Sequence, residues 1–202
     1  MTDKNKLDKL NLLTAGDFRA FLYDCDGTLA DNMQAHKDSY VKTAAEYGFN
    51  LDPALIDELA GWPTVAVVNE IGRRYEVALD PEAFGSRKGR IFFDEYITHT
   101  RPIPYVVDHL KQHAGRVKIG VVSGGRRVTV ERTLSILGIA GLVDTIVCAG
   151  ETPRGKPFPD PFLKAAAELH VAPEHCMVFE DGDPGIQAAM AAGMAHIRID
   201  KL

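Results

Sequence analysis

Residues Phe18–Thr28 read FRAFLYDCDGT, an apolar run that stops at two carboxylates and a glycine. A short run with no polar alternation predicts a strand buried on both faces, as in a parallel sheet covered by helices. Similar runs recur at Val117–Ser123 (VKIGVVS), Asp144–Cys148 (DTIVC), Cys176–Glu180 (CMVFE) and Ala195–Ile199 (AHIRI), each bounded by turn residues. Helical patterns separate them. Val130, Leu134 and Leu137 recur at helical spacing ahead of Gly138, a left-handed stop. Asp160-Pro161 and Asp183-Pro184 each read as an Asp N-cap followed by Pro at the first helical position. Strands alternating with helices define an α/β fold, a parallel sheet flanked by helices.

The middle of the chain has another character. From Met33 to Thr100 four helical patterns follow one another without a convincing strand. Ala44, Ala45 and Tyr47 mark the first, and Ala54, Ile56 and Leu59 the second. Val65, Val68 and Ile71 mark the third, and Ile91, Phe92, Glu95 and Tyr96 the fourth. Asp31-Asn32 and Arg101-Pro102-Ile103-Pro104 flank the block like two crossings of one boundary. The expectation is an all-helical domain, 33–100, inserted into an α/β domain made of 1–32 and 101–202. Periodicity alone leaves open that these helices pack on the sheet as one domain.

With 202 residues the chain is long enough for a core without disulfides or metals as staples. Lys and Arg number 23 against 28 Asp and Glu, a formal charge of −5, which disfavours a nucleic-acid or anionic-membrane surface. No apolar run approaches the roughly 18–20 residues of a membrane span. The opening residues, MTDKNKLDKLNLLTAG, lack the apolar segment of a signal peptide. Leu7, Leu10 and Leu13 predict that this segment docks as a short amphipathic turn or helix. Cys25, Cys148 and Cys176 have no paired spacing, which suits a reducing cytoplasm.

Ligands of open α/β sheets bind beyond the carboxyl ends of the strands, and four such ends carry chemistry here. Asp24-Cys25-Asp26-Gly27-Thr28 sets two carboxylates close together, at ~4 kcal/mol of repulsion at 4 Å and an effective dielectric near 20. A cation or a proton must offset that, although a lone DxDG is equally an Asx turn. Ser123-Gly124-Gly125 offers a hydroxyl and glycine amides ahead of a helix, an anion site or a plain N-cap. In Gly155–Pro161 three prolines in five positions stiffen the loop that carries Lys156. Glu180-Asp181, ahead of a proline-started helix, supplies hard oxygen ligands. Together these place Asp24, Asp26, Glu180 and Asp181 opposite Lys156 and an amide nest. A divalent cation and a phosphoryl group bound together would satisfy that set. No GxSxG elbow and no metal-ligand spacing of the seven histidines points to other chemistry.

DCDGT, VVSGG, GKPFPDPF and FEDGDPGI, in this order, resemble the four motifs of the haloacid-dehalogenase-like hydrolases. Within them the chain is similar to the subgroup of β-phosphoglucomutases and fructose-1-phosphate-type sugar phosphatases. The resemblance implies a Rossmann-like core with an inserted all-helical cap. It assigns Asp24 as nucleophile, Asp26 as general acid and then base, and Lys156 as the charge between nucleophile and phosphate. Mg²⁺ would be held by Asp24, Asp26 (through its carbonyl) and Asp181, with Glu180 as ligand or neighbour. Ser123 and Gly124 would hold phosphoryl oxygens, and the Lys156-Pro157 bond would be cis. His36, Trp62 and Lys88 in the cap, and Arg126 after the glycines, would face the substrate. For His36 and Lys88, an exposed helix residue is the alternative.

The activity implied is an Mg²⁺-dependent phosphatase, cytoplasmic, acting on a small phosphorylated sugar or polyol through an aspartyl-phosphate, as a monomer or weak homodimer. A β-phosphoglucomutase-like isomerase is the alternative. Gly61-Trp62-Pro63-Thr64 lacks the arginine with which such mutases hold a distal phosphate, and Thr28 replaces their common valine. A non-catalytic module is disfavoured by the complete residue set, and a dehalogenase by Asp26.

Overall fold

The computed structural model describes residues 1–202. Helix α1 (Asp3–Leu13) precedes β1 (Ala20–Tyr23) and a two-residue strand β2 (Ala30–Asp31). Four helices follow, α2 (Met33–Glu46), α3 (Pro53–Glu58), α4 (Thr64–Tyr75) and α5 (Pro81–Ile91), the last running into a π-helical turn, Phe92–Tyr96. The chain continues through β3 (Arg101–Pro102), α6 (Pro104–His113), β4 (Lys118–Val122), α7 (Arg127–Ile136) and β5 (Thr145–Val147). It ends with α8 (Asp160–Glu168), β6 (Cys176–Glu180), α9 (Asp183–Ala191) and β7 (Ala195–Arg198).

Two compact units result, one of Met1–Asp31 with Arg101–Leu202, the other of Asn32–Thr100. In the first, five parallel strands lie in the order β5-β4-β1-β6-β7, with β1 at the centre. Each face of the sheet is apolar and each is covered. Phe21, Tyr23, Val121 and Phe179 pack with Leu10 of α1, Val106 and Leu110 of α6, and Val130 and Leu134 of α7. Ala20, Leu22, Val122 and Val178 pack with Phe162 and Ala165 of α8 and Ala188 and Ala189 of α9. Burial on both faces is why the inner strands β1 and β6, buried at every residue, read as unbroken apolar runs, whereas edge strand β7 exposes His196. Gly138, at φ +69°, ends α7 in the left-handed turn expected of it.

The second unit has a core of its own, in which Tyr40, Leu55, Val67, Val68, Ile71 and Phe84 are buried together. Val65, expected on that face, is exposed. The Asp-Pro start that the sequence pattern places at residues 160–161 and 183–184 is realised instead at two other helices. Asp52 accepts from the Ala54 amide (2.9 Å), and Asp80 from Glu82 (2.9 Å) and Ala83 (3.1 Å), each ahead of a proline. Asp160 and Asp183 are themselves the first helical residues. Their carboxylates are taken by Arg154 and Arg198, which removes them from capping. The two-residue pairing of β2 with β3, at the flanks of the helical unit, is too short to leave a pattern in the sequence.

Helix α1 docks through Leu10, which is fully buried, while Leu13 is 45% exposed, against the expectation of a Leu7, Leu10, Leu13 stripe. Thr14 takes the inward position instead. Its hydroxyl donates to the Leu10 carbonyl (2.8 Å), and its oxygen accepts from His109 Nε2 (2.9 Å). His109 Nδ1 accepts in turn from the Tyr23 hydroxyl (2.8 Å), so the one-way chain requires the Nε2–H tautomer. Burial, reinforced by His113 alongside, pulls the His109 pKa down to about 3. The unfolded imidazole titrates near 6.5, so the folded state is the one that refuses the proton. Stability that is complete above about pH 6.5 is therefore lost as pH falls toward 3. Thermal unfolding followed by circular dichroism at stepped pH checks this. His109→Gln should lower Tm at pH 7 yet flatten its decline between pH 6.5 and 4; parallel declines in the two proteins would contradict it.

Candidate active site

The carboxyl ends of β1, β4 and β6 lie side by side, which gathers three of the four loops by topology alone. The Asp24 amide donates to the Phe179 carbonyl (2.9 Å) and the Ser123 amide to the Val147 carbonyl (2.9 Å), extending the ladders one residue past the strands. Asp24, Ser123 and Glu180 are consequently held by sheet hydrogen bonds or strand position, and all three are buried. After Asp24 the chain makes a tight turn. The Gly27 amide donates to the Ala30 carbonyl (2.8 Å), and the Leu29 and Ala30 amides donate to the Cys25 carbonyl (3.0 and 2.9 Å). Gly27 sits at φ +85°, a conformation natural to glycine.

The fourth loop delivers Lys156 into this group, next to the cis Lys156-Pro157 bond. Its Nζ donates to Asp24 Oδ1 (2.6 Å), Glu180 Oε1 (2.6 Å) and the Val122 carbonyl (2.8 Å). An ammonium has three donors and no acceptor, so this lysine is fully spoken for. Around the same loop Arg154 pairs with Asp160 and lies 4.4 Å over the Phe158 ring.

Burial raises the Asp24 carboxyl well above the ordinary aspartate range; Lys156 opposes the shift, and Glu180 and Asp181 add to it. Asp181 is pushed up to about 6, again by burial first and then by Glu180. Burial pulls the Lys156 ammonium down, but Asp24 and Glu180 outweigh it and leave its pKa above the ordinary lysine value. Lys156 therefore stays charged. One ligand atom from each of Asp24, Glu180 and Asp181 lies within 4.8 Å of the others, so three carboxylates converge against one ammonium. The excess of negative charge suits a hard divalent cation.

The space for these carboxylates is made by glycines. Glu180 Oε2 accepts from the Gly182 amide (2.9 Å), and its side chain lies across the Cα of Gly185. A Cβ at Gly185 would stand 1.8 Å from Glu180 Oε1. Asp181 Oδ1 accepts from the Thr28 hydroxyl (3.0 Å), and a Cβ at Gly27 would stand 2.2 Å from Asp181 Oδ2. Neither relationship is legible as a motif beforehand, although the glycine-threonine step after the second carboxylate and the glycine five residues after Glu180 are its traces.

Asp26 and Ser123 also belong to this neighbourhood. A Cβ on Gly125 would lie 3.3 Å from Ser123 Oγ and 3.6 Å from Asp26 Oδ2. Ser123 Oγ accepts from the Gly125 amide (3.0 Å), so that amide is engaged locally; Gly124 and Arg126 are exposed in the loop, and α7 begins only at Arg127. His36 and Lys88 lie together in the helical unit. Lys88 Nζ donates to His36 Nδ1 (2.6 Å) and lies 4.7 Å over the Tyr40 ring, while His36 stacks on Phe92 at 4.0 Å. Lys88 is 7% exposed, which excludes the exposed-helix alternative for it. Trp62 is half exposed, in the turn between α3 and α4.

Comparison with known proteins gives this arrangement its class. Residues 21–199 match the model of the haloacid dehalogenase-like hydrolases, and the chain belongs to that family. It is 33% identical over 182 residues to fructose-1-phosphate phosphatase YqaB of Escherichia coli, covering 90% of this chain and 96% of that one. It is 28% identical to the phosphorylated carbohydrates phosphatase of Thermotoga maritima, over 88% of this chain and 83% of that one. Among solved structures, β-phosphoglucomutase from Clostridium difficile superposes with a TM-score of 0.76 at 26% identity, over 89% and 83% of the two chains. The CbbY structure from Rhodobacter sphaeroides shares the fold at a TM-score of 0.80 and 24% identity, over 89% and 84%. No helix is long and apolar enough to cross a membrane.

The buried ion pairs make a stability prediction. Lys156→Met leaves Asp24 and Glu180 without their shared partner and should cost ~3–5 kcal/mol of unfolding free energy in metal-free buffer. Urea denaturation measures it. A variant as stable as the parent would contradict the pairing.

Proposed function

We propose that this chain is an Mg²⁺-dependent phosphatase that hydrolyses a small sugar or polyol monophosphate through an aspartyl-phosphate. The observation that carries the reading is the bonding of Lys156 to Asp24 and Glu180 beside Asp181, at the ends of adjacent strands. The likeness to phosphatases of fructose-1-phosphate and of phosphorylated carbohydrates supports the substrate class.

Asp24, Glu180 and Asp181, together with the Asp26 carbonyl, are the groups assigned to Mg²⁺; oxygen donors of this kind fit it. When bound, the ion supplies charge neutralisation for the phosphoryl oxygens. The remaining work falls to the chain. Asp24 attacks phosphorus in line, forming an aspartyl–phosphorus bond as the ester bond breaks. Asp26 donates its proton to the departing alcohol oxygen, and the resulting carboxylate then takes a proton from the water that attacks phosphorus. That second step releases inorganic phosphate, restores Asp24 and reprotonates Asp26. Lys156 keeps Asp24 Oδ1 fixed and neutralises charge between it and the phosphoryl group, and Ser123 binds a phosphoryl oxygen. Phosphoryl transfer asks mainly for such positioning and charge. In this reading the helical unit is the cap, and His36, Lys88, Trp62 and Arg126 determine which sugar is accepted.

A mutase uses the same aspartyl-phosphate, and the likeness to β-phosphoglucomutase favours that second reading. The absence of arginine in Gly61–Thr64 weighs toward hydrolysis, since a bisphosphate intermediate needs a cation at its far end. Phosphate release across a panel of sugar phosphates, with and without Mg²⁺, tests the proposal. Release that requires Mg²⁺ and falls by ~10³-fold or more in Asp24→Asn is expected. Substantial release by Asp24→Asn would contradict the covalent route, and conversion of glucose-1-phosphate to glucose-6-phosphate without release would favour the mutase.

A further inference from the structure

We infer that Thr28 is a positioning residue whose hydroxyl, with the bare Cα of Gly27, seats the Asp181 carboxylate for the divalent cation. The inference rests on the metal reading above and assigns a role to residues that reading does not use.

Thr28 is fully buried, in a turn held by three backbone hydrogen bonds, so its hydroxyl has little freedom to wander. It donates to Asp181 Oδ1 at 3.0 Å across the interval between the loops that follow β1 and β6. The other oxygen, Oδ2, lies where a Cβ of residue 27 would stand only 2.2 Å away. Both oxygens of Asp181 are thus located by one dipeptide step. The need for such a seat is electrostatic. Asp181 is adjacent in sequence to Glu180 and close to Asp24, and it is the least buried of the three. Repulsion from two carboxylates favours turning it outward, toward water, and a hydrogen-bond donor opposes that turn. Lys156 does not do so, because its three donors are committed to Asp24, Glu180 and the Val122 carbonyl. Thr28 is the donor available from the neighbouring loop. Hydrogen-bonding partners of ligating carboxylates orient the ligand, and their loss typically weakens metal binding by ~10–100-fold.

A purely packing role predicts something different. Valine has nearly the shape of threonine, so Thr28→Val preserves packing and removes the hydroxyl, whereas Thr28→Ser keeps the hydroxyl and removes a methyl. Titration of the full chain with MnCl₂, followed by the electron paramagnetic resonance of free Mn²⁺, reads the site without reference to turnover. Thr28→Val should bind Mn²⁺ ~10–100-fold more weakly, and Thr28→Ser should stay close to the parent. Should Thr28→Val lack a folded circular dichroism spectrum, Thr28→Ala removes the same hydroxyl without adding bulk, and the same weakening is expected. Equal Mn²⁺ affinity in the parent and a folded hydroxyl-free variant overturns the role of Thr28 and leaves the metal reading standing. A parent chain that takes up no Mn²⁺ overturns both.

Discussion

Lys156 Nζ donates at once to Asp24, Glu180 and the Val122 carbonyl, and so ties together the ends of β1, β6 and β4. Its partners are buried, where an unpaired carboxylate costs several kcal/mol. The proline-rich loop that carries this lysine is therefore bound to the sheet by charge, and the rest of the site is arranged around that tie. Parallel neighbours bring the strand ends together, the lysine makes two adjacent carboxylates tolerable, and the third carboxylate leaves the charge surplus that a divalent cation would neutralise.

Close packing of like charges also needs room, and the room comes from missing side chains. Gly27 and Gly185 each lie against a carboxylate that a single Cβ would displace. Beneath this layer, Tyr23 stacks on Phe179 at 4.4 Å, so the residues preceding Asp24 and Glu180 support each other on the apolar side of the same strands. The chain Tyr23–His109–Thr14 then links that aromatic layer to α1, which begins before the segment shared with the family. Chemistry, aromatic support and terminal helix form one continuous stack in the first unit.

Much of the first unit was legible because both faces of its sheet are buried. The five strands all coincide with apolar runs such as Cys176–Glu180, and strand-end loops are where chemistry collects in such sheets. Glu180, Asp24 and Lys156 were readable as a set for that reason. Pairwise geometry was not. The Thr28 bond to Asp181 spans 153 positions, and the space above Gly185 depends on a side-chain rotamer. Nor did local rules decide competition between partners. Asp160 and Asp183 look like caps, yet arginines six and fifteen residues away engage them. Leu13 fits a helical stripe, but Thr14 has a buried hydrogen-bonding partner and faces inward.

Asp24 and Asp181, far apart in sequence and on neighbouring strand ends, are proposed to share one cation beside the Lys156 ammonium. Crystals grown with Mn²⁺ and examined at the manganese absorption edge test it most directly. One anomalous peak bonded to carboxylate oxygens of both Asp24 and Asp181 is expected. A peak elsewhere, or none between those two side chains at saturating Mn²⁺, would contradict it.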